Sequence, residues 1–575
     1  MNSIYLAGFG LGLFFLGYRF YSKYLSEKIY DLQSFSGLTP AHEFKDNIDF
    51  IPTKKPILFG HHFTSIAGAA PIIGPCIAAY WGWLPALLWI VIGTVFMGAV
   101  HDFGALVISV REKGRSIADI TGKVISHRAK IMFLFFILML TWLVLAVFAM
   151  AIAGLFNAVP TSVLPINIEI IIALIIGTLI YKKNVNATIP SVLALAILYL
   201  FVWIGTKTPI TLSTLGVQPE NTQTVWIIFL FIYSGIAGLL PVWLLLQPRD
   251  YINSHQLMVG LGLIFVGLFI AQPVVDAPMV RSDIGTDGPP IFPLLFVTIA
   301  CGAISGFHGL VSSGTTSKQV NNIQDTRLIG YGSMIGEGAL ALASTIAAVA
   351  GIALVTTCNL PSVGVVADLN WHVYYDNWAN ASANKATAFV LGGGALLQQI
   401  GFEAELAKTL MAVLVISFAA TTLDTATRIQ RFIIGELGDA IHKPILKNRV
   451  VGTFGAILPA FALTMWSVPD PFTGQIKETA WIIWPIFGAS NQMLAALTLM
   501  VIALYFLKLK KPIISLVIPF TLITGTTIIA LLINAQTFYQ NNSLLFGVDI
   551  LLLGLVFWML YEGWSVFKKM GKNHE

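Results

Sequence analysis

Gly60-His61-His62-Phe63-Thr64-Ser65-Ile66-Ala67-Gly68-Ala69-Ala70-Pro71-Ile72-Ile73-Gly74-Pro75 places two imidazoles, two hydroxyls, three glycines and two prolines inside one hydrophobic stretch. Pro71 and Pro75 remove helical hydrogen bonds, and Gly68 and Gly74 lower the cost of leaving helical geometry. In a bilayer such a break survives only where protein or a water-filled cavity takes up the freed backbone groups. The stretch therefore reads as an interrupted membrane span that faces a protein interior.

The rest of the chain agrees with a membrane setting. Of its 575 residues 56% are hydrophobic and only 11% are charged, against about 25% charged in a soluble protein. A soluble chain of this length could not cover its domains with so little charge, and disordered chains are poorer in apolar residues. Three cysteines, Cys76, Cys301 and Cys358, exclude a disulfide scaffold. Mean hydropathy is +0.80. The expected class is all-α, a polytopic membrane protein.

A window of about 20 apolar residues, the length that crosses a bilayer core, gives about fifteen transmembrane helices. They lie near 3–18, 57–80, 84–110, 131–158, 166–181, 187–205, 224–246, 254–275, 291–317, 328–356, 405–427, 451–467, 481–506, 512–534 and 546–567, with 386–400 a half-span or surface helix. Ile4–Gly17 lacks a basic start and a small-x-small cleavage site, so it reads as a retained helix and not a signal peptide. Alternate loops collect 28 of the 33 Lys and Arg; the other side holds Lys207, Arg281, Lys385, Lys408 and Lys477. The positive-inside rule then puts the N-terminus outside and the C-terminus in the cytoplasm. The net charge of +5 is met by anionic lipid and calls for no nucleic-acid partner.

A second unusual run, Thr298-Ile299-Ala300-Cys301-Gly302-Ala303-Ile304-Ser305-Gly306-Phe307-His308-Gly309-Leu310-Val311-Ser312-Ser313-Gly314-Thr315-Thr316-Ser317-Lys318, repeats the chemistry of the first. Ser65–Ala70 aligns with Thr298–Ala303 with three identities. Small residues at helix crossings could also produce that match. The two spans run in opposite directions in the expected topology, and paired interrupted helices of opposite direction point to an inverted-repeat transporter with a midplane site.

Several residues stand out at membrane depth. His61, His62 and His308 titrate near neutral pH and could carry a coupling proton, although His61 and His62 could equally cap or gate a cytoplasmic edge. Asp102 and Glu337 are carboxylates inside spans, where buried acids are costly and commonly functional. Asp424 is expected to pair with Arg428 one turn away. Arg249-Asp250 is expected to fasten a cytoplasmic loop, and Lys318 either binds a substrate carboxylate or snorkels to the surface. Thr64, Ser65, Gly68, Ser305, Ser312 and Ser313 complete the expected substrate and proton pathway. Thr421 and Thr422 are adjacent hydroxyls that suit a hard cation such as Na⁺, or else bond back to the carbonyl one turn earlier. Breaks near Gly68–Pro71 and Gly302–Gly306 would offer half-helix N–H groups to a carboxylate.

These motifs resemble the carbon starvation protein CstA family over nearly the whole chain. The resemblance rests on Gly60–Gly68, Trp81-Gly82-Trp83-Leu84-Pro85-Ala86, Gly114-Arg115-Ser116, Pro241–Tyr251, Thr298–Lys318, Leu423–Arg428 and Trp484–Gln492, in that order. It implies a secondary transporter of a bacterial inner membrane, associated with peptide uptake in carbon starvation or with proton-coupled pyruvate uptake. It also implies kinship with the amino acid–polyamine–organocation (APC) superfamily, whose LeuT-like core is a five-plus-five inverted repeat with broken first and sixth helices. Thr421 and Thr422 resemble a hydroxyl pair that binds Na⁺ on the eighth core helix of related transporters. His101-Asp102-Phe103 departs from the Gln-Asp-Phe frequent in the family, and fifteen spans exceed a ten-helix core.

The expected organisation is an N-terminal helix and cytoplasmic loop (1–56), two membrane repeats with extra helices (57–275 and 291–567) and a cytoplasmic tail (568–575). The expected function is cation-coupled import of a small carboxylate or peptide, with H⁺ or Na⁺ as the coupling ion and no cofactor, metal or catalytic residue. The alternatives are an intramembrane metal-dependent enzyme and a nutrient sensor. The adjacent His61-His62 pair argues against the first, because two metal ligands on one helix face are spaced i, i+4. Nothing in the residues sets an oligomeric state.

Overall fold

In the computed structural model the described residues are 1–46, 49–183, 185, 188–283, 288–360, 364–383, 386–469, 476–478 and 482–572. Lys385 and the last three residues of the expected tail lie outside them. Twelve helices among the described residues are long and apolar enough to cross a membrane, and thirteen if the bent pair Lys55–Ala67 and Ala70–Trp81 counts as one span. The chain is a multi-pass membrane protein.

The count of fifteen is therefore corrected, and the two shortfalls have different causes. Residues 291–317 do not form one helix. They fold as Ile291–Thr298, Ala300–Ala303 and Gly306–Gly314, with Ile304 and Ser305 extended. A hydropathy window averages over such a break. Residues 451–467 form Arg449–Met465, a helix of 17 residues with Pro459 inside it, which is short for a full span. Thr387–Gln398, in the 386–400 segment, has 12 residues. Two small antiparallel hairpins depart from the all-α expectation: Thr357–Leu360 pairs with Gly364–Ala367, and Ser467–Pro469 with Ile476–Glu478.

Burial separates inner from outer helices. The apolar windows of Ala404–Ala440 and Trp484–Lys508 are 89% buried, whereas those of Ile189–Lys207 and Ser543–Met570 are 28% and 33% buried. The outer helices expose Leu193, Trp203, Phe557 and Trp564, as lipid-facing surfaces do. The long helix Ala404–Ala440 packs against His127–Ala158, Thr387–Gln398, Leu246–Ala271 and the first broken span. Trp484–Lys508 packs against the second broken span and Trp83–Arg111. Some hydroxyls inside these helices bond back one turn, as Thr141 does to Ile137 and Ser490 to Ile486.

Candidate functional site

The two interruptions are built differently. At the first, Gly68 has φ +51 and ψ −164, and the flanking helices bend by 44°. That φ favours glycine. A Cβ here would also lie 2.7 Å from Oγ1 of Thr422, so the helix Ala404–Ala440 presses directly on the break. At the second, Asn491 of Trp484–Lys508 replaces missing helical partners. Its Oδ1 accepts from the Phe307 backbone N–H at 2.9 Å, and its Nδ2 donates to Ser305 Oγ at 2.9 Å. Asn491 belongs to a quoted sequence motif but carried no expected role.

Below the second break a chain of ionisable side chains runs through the interior. His101 Nδ1 lies 2.7 Å from Asp102 Oδ1, and Asp102 Oδ2 lies 2.8 Å from His308 Nδ1. His308 Nε2 is 3.2 Å from Glu337 Oε2. All four side chains are buried. The expected residues Asp102, His308 and Glu337 thus come together from three separate helices, and His101 joins them. Both ring nitrogens of His308 face carboxylate oxygens. A neutral imidazole has one N–H and one acceptor nitrogen, and Nε2 makes no hydrogen bond among the described residues.

A second buried cluster lies at the first break. His61 Nδ1 is 2.6 Å from Asp250 Oδ2, to which Ser65 Oγ donates at 3.0 Å. Thr64 donates to the Asp250 carbonyl at 3.0 Å. Next to Asp250, Arg249 donates from Nε to Glu169 at 2.9 Å and from Nη1 to Asp424 at 2.6 Å. Tyr233 donates to Asp424 at 2.7 Å, and Ser417 donates to Glu169 at 2.7 Å.

Two expectations are corrected here. Asp424 pairs with Arg249 and not with Arg428, which instead donates to the Leu240 carbonyl at 2.8 Å and reaches Asp49 at 3.3 Å. Arg249-Asp250 does not fasten a loop; both side chains are fully buried in the first turn of Leu246–Ala271. Glu169 was missed altogether. A carboxylate inside the apolar run Val163–Lys183 was the available signal, since an ionisable group within a span is a functional candidate by default.

The remaining expected residues are distributed around these clusters. His62 is buried and lies 2.8 Å from Thr316 Oγ1, apart from the His308 chain. Thr421 Oγ1 accepts from Asn253 at 3.0 Å, and Thr422 Oγ1 is buried with no hydrogen-bond partner among the described residues. Thr427 in the same helix bonds back to Leu423 at 2.9 Å. Ser312 Oγ is buried and unpartnered among the described residues, whereas Ser313 donates to the Gly309 carbonyl at 2.7 Å. The Lys318 ammonium lies 5.6 Å and 5.2 Å from the ring centres of Phe50 and Phe432. Among the described residues no group of three or more His, Cys, Asp or Glu is placed to hold a metal ion.

An apolar helical bundle with charge networks buried at two interrupted spans defines a multi-pass membrane protein. The chain belongs to the carbon starvation protein CstA family, whose profile matches residues 2–530. Among its curated relatives, the "Peptide transporter CstA" of Helicobacter pylori is 31% identical, with 89% of this chain and 78% of that protein covered. The "Pyruvate/proton symporter BtsT" of Escherichia coli is 32% identical over the same shares of the two chains. A manganese transporter of Eremococcus coleocola, solved with an aromatic bis-isothiourea compound, matches at 12% identity with a TM-score of 0.47, covering 92% of this chain and 100% of that one.

Proposed function

We propose that this protein is a secondary active transporter that imports a small carboxylate or short peptide across the bacterial inner membrane. Family membership and the named relatives, peptide transporters and a pyruvate/proton symporter, support the substrate class. The observation that carries coupling is His308 held between Asp102 and Glu337. One imidazole facing two carboxylates can gain and lose a proton at a point where two helices and an interrupted span meet.

In this reading the two breaks belong to inverted repeats within 57–275 and 291–567, preceded by the N-terminal segment 1–56 and followed by the tail 568–575, in a LeuT-like arrangement. The N-terminus faces outward and the C-terminus the cytoplasm. Substrate passes between the breaks, along His61, His62, Thr64, Ser65 and Gly68 on one side and Ser305, His308, Ser312 and Ser313 on the other. Thr422, whose hydroxyl has no partner among the described residues, and Thr421 form the cation site if Na⁺ accompanies or replaces H⁺.

The test is uptake into proteoliposomes under imposed proton or sodium gradients. Accumulation of labelled pyruvate or a di- or tripeptide driven by either gradient is expected. Failure of both gradients to drive any of them would remove coupled transport, and competition among carboxylates and peptides would rank the substrates.

A further inference from the structure

A cavity of about 310 Å³ opens at the far end of the second broken span, where Gly314 and Lys318 meet Phe50, Phe432 and the Gly114–Ile117 turn. Five charged side chains line it: Lys113, Arg115, Asp119, Lys318 and Glu436. Four of them are already engaged. Lys113 pairs with Glu43 at 2.8 Å, Arg115 with Asp119 at 3.2 Å, and Glu436 accepts from Ser116 at 2.7 Å. Lys318 is different. Its ammonium sits over two aromatic rings and has no hydrogen bond or ion pair among the described residues.

We propose that this cavity is a binding site for a carboxylate monoanion with a short apolar body, and that Lys318 is its charge ligand. Phe50 and Phe432 hold the ammonium in place by cation–π contact instead of neutralising it. Leu310 and Ile429 supply an apolar wall. Two lining carboxylates and one unpaired positive charge favour a single negative charge over a phosphate dianion. The site shares its half-helix with His308, so it rests on the transport reading above and places a substrate station between the proton-bearing groups and the Lys/Arg-rich side. A pyruvate ion and the C-terminus of a peptide offer the same chemistry.

Gly314 provides a reporter, because a Cβ there would meet only Ile429 Cγ1, at 4.0 Å. Cys76 and Cys301 are buried, so Gly314→Cys in a Cys358→Ser background gives one accessible thiol among the described cysteines. The full chain in lipid nanodiscs is alkylated with a maleimide in the presence of pyruvate, alanylalanine or alanylalanine amide. Slowed alkylation by pyruvate or alanylalanine, but not by the amide, is expected, and the carboxylate that protects identifies the source. Lys318→Gln should weaken that protection about tenfold or more, the low end for removing one partner of a partly buried charge contact, and Lys318→Arg should retain most of it. No protection by either carboxylate, equal protection by the amide, or protection that survives Lys318→Gln would each overturn the site. If Gly314→Cys folds poorly, carboxylate-dependent thermal stabilisation of the otherwise native chain and of Lys318→Gln decides in the same way. Uptake in proteoliposomes is scored separately: protection without uptake overturns transport, and uptake without protection overturns only this cavity.

Discussion

Arg249 and Asp424 meet at 2.6 Å with both side chains fully buried, joining the start of Leu246–Ala271 to the middle of Ala404–Ala440. The same guanidinium also holds Glu169 at 2.9 Å. One positive charge therefore serves two carboxylates from different helices, and the three helices are locked in register by a contact that lipid cannot replace.

Arg249→Met leaves Glu169 and Asp424 without their cation. Removing one member of a buried pair costs about 3–5 kcal/mol, so this variant should lose stability on that scale. Asp424→Asn, which keeps an oxygen acceptor for Tyr233 and Arg249, should lose less. Reversible unfolding in mixed micelles measures both, and an Arg249→Met protein as stable as the parent would mean that the two acids are neutral in the native state.

His308→Ala removes the ring between Asp102 and Glu337 and should abolish gradient-driven accumulation while the protein still folds and inserts. Glu337→Gln should keep counterflow exchange of substrate but lose its proton dependence. Both are read in proteoliposomes with and without a pH gradient. Normal accumulation by His308→Ala would take His308 out of the mechanism.

Thr421 and Thr422 make different predictions despite being neighbours. Thr421→Ala leaves Asn253 without its acceptor and should act mainly on stability, by about 1–3 kcal/mol for a buried donor left unsatisfied. Thr422→Ala removes a hydroxyl with no internal partner among the described residues, so stability should change little. If the hydroxyl binds the coupling ion, that variant should raise the cation concentration needed for half-maximal uptake. An unchanged cation response in both variants and in their double would remove the ion site.

Gly68→Ala combines two penalties, a left-handed φ of +51 and a Cβ 2.7 Å from Thr422 Oγ1. A destabilisation of about 1–3 kcal/mol is expected for the backbone strain alone. Adding Thr422→Ala should relieve the steric part and leave the backbone part. Full rescue by the double variant would show that space, and not φ, sets the need for glycine.

Asp31 offers a pH test outside the membrane spans. Lys511 bonds to it at 2.6 Å and holds its carboxyl below the usual carboxylate range. A depressed carboxylate adds stability above its unfolded value of about 3.9, and that stability is lost as pH falls through the lower folded value. Lys511→Ala should return the Asp31 titration toward its unfolded value and remove most of that contribution, so that the 31–46 segment is looser at neutral pH and loses less on acidification. Limited proteolysis across a pH series reads this directly.

Much of the site was legible in the residues because it is made of types that do not belong in lipid. His308, Asp102 and Glu337 stand out at membrane depth, and their desolvation cost marks them wherever they pack. The partners were not legible. Arg428 lies one turn from Asp424 and looked sufficient, yet Arg249, 175 residues away in sequence, takes the contact. Sequence spacing describes one helix, whereas a buried ion pair is decided by which helices pack. Glu169 went unnoticed because a single carboxylate hardly lowers the mean hydropathy of its run.

From its sequence alone this protein is a helical membrane protein of the CstA family, interrupted near Gly68 and near Gly302–Gly306. Composition and local backbone chemistry act residue by residue, and a glycine free to take a left-handed φ, as Gly68 does, permits a break from within its own helix. Tertiary structure alone decided that residues 291–317 form three pieces stapled by Asn491, that Arg249 joins Glu169 to Asp424, and that Lys318 turns into a cavity between two aromatic rings. Those outcomes depend on distances between segments far apart in the chain, and in a low-dielectric interior it is those distances that settle where each charge can rest.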